Sequence, residues 1–239
     1  MATNKVTKIK EYYNSRYSNR GDEAFRPWEA YPEFLDYLGV SSGRRLLDVG
    51  CGNGFLLSAA EQRGLQTFGI DISDAAAELA RKNAPNSEIR VGRAESLDYL
   101  DGYFDYLTCL GTLEHCLDID KALSEMYRVT KKSAKICIMV PNLNYIMWKL
   151  HGQAGTEQQE INEQLFSLKE WLSILNRNGF TIQKNLQDKW GTRNIHIFGS
   201  KNLKDILLRM LMKLLWYFMP LRFTYQFIFI CIKKEGQNR

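Results

Sequence analysis

The sequence predicts a doubly wound α/β fold, a mostly parallel sheet with helices on both faces. Three observations predict it. Short apolar runs alternate with helical patterns, the order that builds a parallel sheet through right-handed crossovers. The run Lys135 to Val140 is apolar without interruption, as a strand covered on both faces requires. The run Leu46 to Val49 contains an acid, Asp48, and leads into three alternate glycines, Gly50, Gly52 and Gly54. Glycines at such a strand-to-helix turn let the backbone take positive φ and let a ligand lie against the main chain.

The 239 residues are 45% apolar and 25% charged, ordinary for a chain that buries a real core, and predict one domain. The net charge of +5 is uneven, since residues 201–239 hold eight Lys/Arg against two Asp/Glu. Five cysteines without a C-x-x-C pair sit mostly in apolar runs, which predicts buried thiols, a reducing compartment and no metal site. The N-terminus has no apolar leader segment, so a cytoplasmic protein is expected.

In chain order, residues 1–40 mix charge with aromatics. Trp28, Tyr31, Phe34 and Leu38 recur at helical spacing, so one or two helices should cover the core of residues 41–141. Strand 1 (Arg45 to Val49) leads through the glycine turn to a helix over Phe55 to Arg63, closed by Gly64. Strand 2 (Thr67 to Ile70) ends at Asp71, 21 residues beyond Gly50, where a carboxylate accepts from both hydroxyls of a ribose. The spacing Asp-x-Gly-x-Gly-x-Gly differs from dinucleotide and P-loop fingerprints, so a nucleoside without a phosphate cradle is favoured. Ser73 reads as the N-cap of a helix over Ala75 to Lys82. Strand 3 is Ile89 to Val91, strand 4 Phe104 to Leu110, and a helix follows over Ile119 to Val129. Residues 143–165 match no strand pattern and read as an insertion over the site. Ser167 and Glu170 form a capping box for a helix ending near Asn178. Strand 6 is Phe180 to Lys184, and Phe223 to Ile232 is the last strand. Between them Leu203 to Met219 reads as an amphipathic helix with a polar stripe of Asp205, Arg209 and Lys213, too short and too charged to span a bilayer.

The segment LLDVGCGNGFL, with Asp71 at its distance and TCLGTLEH after Asp105, resembles the class I S-adenosylmethionine-dependent methyltransferases, which implies a Rossmann-like, mostly parallel seven-stranded sheet with an antiparallel final strand. The TCLGTLEH segment is similar to that of quinone-type small-molecule O-methyltransferases. The resemblance implies S-adenosyl-L-methionine as cofactor, held by Asp48, Gly50, Gly52, Gly54 and Asp71. It implies adenine contacts at Ala94 and Glu95, although Arg93 stands where many relatives have Asp, and Glu95 reads equally as a helix-start carboxylate. Leu110 would face the methionyl part, and Tyr13 or Tyr17 would lay a ring against the sulfonium. His115, next to Glu114, stands near the emerging methyl as a candidate general base, and His151 is the second candidate. Arg193 and His196 are further candidates for the pocket wall. Expected partners are a small-molecule acceptor, sugar- or lipid-linked in one reading, and a membrane surface or apolar substrate tail at residues 203–219. Packing of that helix on the sheet or on a second copy is the other reading, and the oligomeric state stays open. N- or C-methylation, or a cofactor-binding module without catalysis, stay open as alternatives. Nucleic acid is not expected, because no N-P-P-Y-type motif occurs and the basic tail is apolar between its charges.

Overall fold

The fold was obtained as a computed structural model that describes residues 2–151, 161–190 and 202–234. Its seven strands are β1 (Arg45–Val49), β2 (Gln66–Asp71), β3 (Glu88–Val91), β4 (Phe104–Leu110), β5 (Thr130–Pro141), β6 (Phe180–Gln187) and β7 (Gln226–Lys233). They lie in the order β3-β2-β1-β4-β5-β7-β6. The chain winds outward from β1 in one direction and from β4 in the other, so the sheet reverses its winding between these neighbours. β1 to β5 are parallel, and β7 runs antiparallel to both neighbours, β5 and β6.

Adjacent residues of the central strands point to opposite faces and build two cores. Leu47, Leu107, Ile136 and Ile138 join Phe104 and Trp171 on one face. Leu46, Tyr106 and Cys137 join Phe34 and Leu56 on the other. Both faces being covered explains why these strands read as unbroken apolar runs.

The helices are α1 (Ala2–Arg20), α2 (Pro32–Leu38), α3 (Phe55–Glu61), α4 (Asp74–Asn83), α5 (Ile119–Val129), α6 (Ile146–His151), α7 (Leu168–Arg177) and α8 (Leu203–Tyr217). The predicted caps are in place. Ser73 Oγ accepts from the Ala76 N–H at 3.1 Å, and Ser167 and Glu170 bond reciprocally at the start of α7. Proline at the start of α2 and left-handed Gly39 (φ +60) after it bound that helix tightly.

Several boundaries differ from the sequence reading by a residue or more, and four of them bear on the sheet and the last helix. β5 starts at Thr130 rather than Lys135, because the polar Thr130 to Ser133 stretch continues the strand past a register shift against β4. β6 runs on to Gln187, paired with Phe227 of β7. β7 starts at Gln226, because Leu221–Phe223 form a 3₁₀ turn after Pro220. α8 stops at Tyr217, two residues short of the expected Met219. No helix among the described residues is long and apolar enough to cross a membrane.

Candidate cofactor and acceptor site

A cavity of about 270 Å³ opens at the carboxyl ends of β1, β2 and β4, the position that the switch in winding predicts for a ligand. Its floor is the turn after β1. Gly50 has φ +75, and its N–H and that of Cys51 donate to Ile70 O at 2.7 and 3.1 Å, which ties the turn to the end of β2. A Cβ on Gly50 would fall inside the Thr112 side chain of the loop after β4. Gly50 and Cys51 face the cavity, whereas Gly52 and Gly54 act one step behind it. Gly52 donates its N–H to Asp71 Oδ2 at 2.9 Å, and Gly54 (φ +80) lets α3 approach α4, since a Cβ there would lie 2.7 Å from Ala80 Cα.

Four buried carboxyls, Asp48, Asp71, Glu95 and Glu114, line the cavity. Asp71 accepts from the N–H groups of Gly52 and Ser73, both at 2.9 Å; burial pushes its pKa up and these donors hold it down. It stands at the end of β2 as a nucleoside-hydroxyl acceptor should. Asp48 accepts from Thr108 Oγ1 at 2.6 Å, and burial pushes its carboxyl up to about 7. Glu114 sits in a 3₁₀ turn, Leu113–His115, after β4; burial pushes its carboxyl up to about 8, with the charge of Glu163 adding to the effect.

The other expected residues divide. Ala94 and Leu110 are in the wall. Glu95 also lines the cavity, but it starts no helix. Its Oε1 binds Arg93 at 2.8 Å and accepts from the Leu117 N–H at 3.0 Å, so it braces the loop after β3 against the loop after β4. His115 is in the wall with Nε2 3.9 Å from Glu114 Oε1. His151 ends α6, and its side chain lies outside the described residues, as do Arg193 and His196.

α1 closes the cavity from above. Lys10 pairs with Asp74 at 2.8 Å, and Asn14 Oδ1 accepts from Ser73 Oγ at 2.7 Å, so this helix is clamped to the start of α4. The clamp brings both Tyr13 and Tyr17 into the wall. The Tyr13 ring packs edge-on against His115 with centroids 5.9 Å apart. Burial raises the pKa of both hydroxyls, with Glu114 and Asp71 adding to the effect on Tyr13 and Asp71 on Tyr17.

Arg26, Glu163, Tyr225 and Gln226 also line the cavity, and none stands in a local sequence signal. Arg26 pairs with Asp188 at 2.5 Å and also bonds Gln226, so three distant segments meet on one side chain. Their one sequence signature is the oddity of an acid, Asp188, closing an otherwise ordinary edge strand.

The residues fit S-adenosylmethionine. The cradle at Gly50 admits no Cβ, Asp71 offers carboxylate oxygens at the nucleoside position, and the wall is rich in carboxyls for a ligand that is cationic at its sulfonium. Asp71→Ala is expected to weaken cofactor binding by about 1–3 kcal/mol, or ~5- to 150-fold, read by calorimetry. Unchanged affinity in the folded variant would remove Asp71 from the site.

The methyltransferase domain family matches residues 47–138. A ubiquinone biosynthesis O-methyltransferase of Alkalilimnicola ehrlichii is 38% identical over 122 residues, covering 47% of this chain and 49% of that protein. The chain thus spans about half the length of the curated relatives it matches. Among solved structures, geranyl diphosphate C-methyltransferase from Streptomyces coelicolor, in complex with S-adenosyl-L-homocysteine, superposes with a TM-score of 0.66 at 16% identity, over 96% of this chain and 97% of that one. A chain of the Haloferax volcanii complex between the Trm112 methyltransferase activator and a methyltransferase gives a TM-score of 0.71 at 18% identity, over 97% and 100%. These two likenesses concern the fold. Over residues 47–138, where the glycine turn, Asp71 and the Glu114-His115 turn all lie, the chain is similar to the methyltransferase domain family and to methyltransferases of ubiquinone biosynthesis.

Proposed function

We propose that the chain methylates an oxygen of a small acceptor that carries an apolar portion, using S-adenosylmethionine. The observation behind this reading is the composition of one cavity. The glycine turn and Asp71 lie at one end, Glu114 and His115 follow the neighbouring strand, and Val6, Ile9, Phe25 and Tyr225 supply an apolar wall. The relatives named as ubiquinone biosynthesis O-methyltransferases favour oxygen over nitrogen or carbon as the acceptor atom.

When bound, S-adenosylmethionine supplies a methyl group on a sulfonium that leaves as a neutral thioether. The protein's work is alignment and exclusion of water, and α1 with its two tyrosines covers the cavity accordingly. A hydroxyl acceptor must also lose its proton. His115 is the first candidate to take it, and His151 the second.

We also place the acceptor's source at a membrane surface reached through α8. Trp216 of that helix stacks edge-on with Tyr145, centroids 6.0 Å apart, and Tyr145 in turn packs on Tyr225 of the cavity wall at 5.2 Å. An aromatic path therefore joins the helix to the cavity.

The reading is tested by S-adenosylhomocysteine release from catechols and hydroquinones with and without alkyl tails. Turnover confined to amine or carbon acceptors in a parallel panel would overturn oxygen as the acceptor atom. With an active acceptor in hand, His115→Ala is expected to lower kcat about 10²-fold while cofactor affinity holds. Equal turnover would leave His115 as a packing partner of Tyr13.

A further inference from the structure

The loop after β4 places an acid in the cavity with one carboxyl oxygen that the described residues leave without a hydrogen bond. Glu114 is 3% exposed, and its Oε2 has no hydrogen-bond partner among the described residues. A buried polar atom left unpaired is costly, and such atoms in a binding cavity are met by ligands. The turn that carries it is rigid: the Gln164 N–H donates to Glu114 O at 2.8 Å, and Gln164 Nε2 donates to Cys116 O at 2.7 Å.

The cavity around it has a surplus of acid. Asp48, Asp71, Glu95, Glu114 and Glu163 all line it. The arginines described in its wall are already engaged, Arg93 with Glu95 and Arg26 with Asp188. Asp71 is held by two backbone N–H groups and Asp48 by a hydroxyl. Glu114 has no such donor on its outer oxygen. Tyr13 feels the charges of both Asp71 and Glu114, and all three line the same cavity. A ligand held by Asp71 and the glycine turn and reaching along the switch point toward β4 therefore runs to Glu114.

Resting on the reading that this cavity takes S-adenosylmethionine, we infer that Glu114 is the counter-charge for the sulfonium and the residue by which the site prefers the methylated cofactor to its neutral product. S-adenosylmethionine and S-adenosylhomocysteine differ by one methyl group and one positive charge at sulfur, and share the ribose, adenine and amino acid parts. Only a charge near the sulfur distinguishes them strongly. Glu114 is largely protonated in the empty cavity at neutral pH, so the cationic ligand ionises it and the proton leaves to solvent. The neutral product leaves the carboxyl protonated. The groups that face Glu114 are His115 beside it, Glu163, Tyr13 of α1, Tyr225, Cys109 and Cys116.

Calorimetry at pH 7 in buffers of different ionisation enthalpy reads both parts on the full chain. The wild type is expected to release close to one proton on binding S-adenosylmethionine, and few on binding S-adenosylhomocysteine. The amino group common to both ligands cancels in this comparison. Release should fade as the pH is raised past about 8. E114Q is expected to lose the release and to bind S-adenosylmethionine at least about 10-fold more weakly, with S-adenosylhomocysteine affinity unchanged or tighter. D48N serves as the second variant and should keep the release, which separates Glu114 from the other protonated acid. Equal weakening of both ligands in E114Q, or release that persists in E114Q, overturns the inference and leaves Glu114 a structural residue. If E114Q fails to fold, loss of release in D48N overturns it, and retention of release there supports it. Binding of neither ligand by the wild type overturns the functional reading and takes this inference with it.

Discussion

Gly50→Val is expected to abolish S-adenosylmethionine binding, a loss of at least about 10³-fold, or ~4 kcal/mol. Two causes act together. Gly50 has φ +75, a conformation that costs a β-branched residue on the order of 1–2 kcal/mol. Its new Cβ would enter the Thr112 side chain, and the turn is tied to Ile70 O by two N–H groups and cannot simply retreat. Either Thr112 swings into the cavity or the turn does, and both fill the ligand's place. Gly102 supplies the control. It also has positive φ (+62), but nothing lies within 4 Å of an added Cβ. Gly102→Ala should lower stability by roughly 1 kcal/mol and leave cofactor affinity untouched. Calorimetry and thermal melts of both variants decide the matter. Wild-type affinity in a folded Gly50→Val protein would show that the cofactor does not lie on this turn.

The glycine turn was legible because its chemistry is local. Asp48, Gly50 and Asp71 are fixed by a strand end, a φ requirement and one interval along the chain, and such constraints survive any tertiary arrangement. Ser73, Ser167 and Glu170 were legible for the same reason, a cap being made within three residues. Strand ends were less so. Thr130 to Ser133 carry no apolar signal, yet Thr130 pairs with Phe104 because β4 and β5 lie side by side. Arg26, Glu163 and Gln226 belong to segments that meet only once β7 inserts between β5 and β6. Glu114 shows the same limit within a correctly read motif. Its neighbour His115 was the natural base, because a histidine titrates near neutrality without help. What raises Glu114 into that range is burial under α1 and the nearby Glu163, and neither can be read from the letters around it.

α8 is expected to bind anionic bilayers with affinity that the fold does not itself require. The sequence showed a broad apolar face, and the structure leaves that face in solvent. Leu207, Leu208, Met210, Leu211, Leu214, Leu215, Tyr217 and Phe218 are each at least half exposed, whereas Ile206, Arg209, Lys213 and Trp216 are half-buried. A contiguous exposed apolar face of this kind marks an interaction surface. At about 25 cal/mol per Å², covering even half of it contributes several kcal/mol, which corresponds to a binding constant changed by orders of magnitude. Lys204 and Arg222, both exposed, add roughly 1 kcal/mol each against anionic headgroups, a contribution that salt screens. Sedimentation with phosphatidylglycerol vesicles should carry the protein down at low salt, less so at high salt, and less again with phosphatidylcholine alone. Leu211→Asp with Leu215→Asp should abolish sedimentation without lowering thermal stability, because both side chains already face water. A protein that stays in the supernatant in every condition would remove the membrane from the proposal. If it instead forms a dimer that this double variant dissociates, the face belongs to a second copy of the chain, and the aromatic path from Trp216 to Tyr225 would then end at a subunit interface.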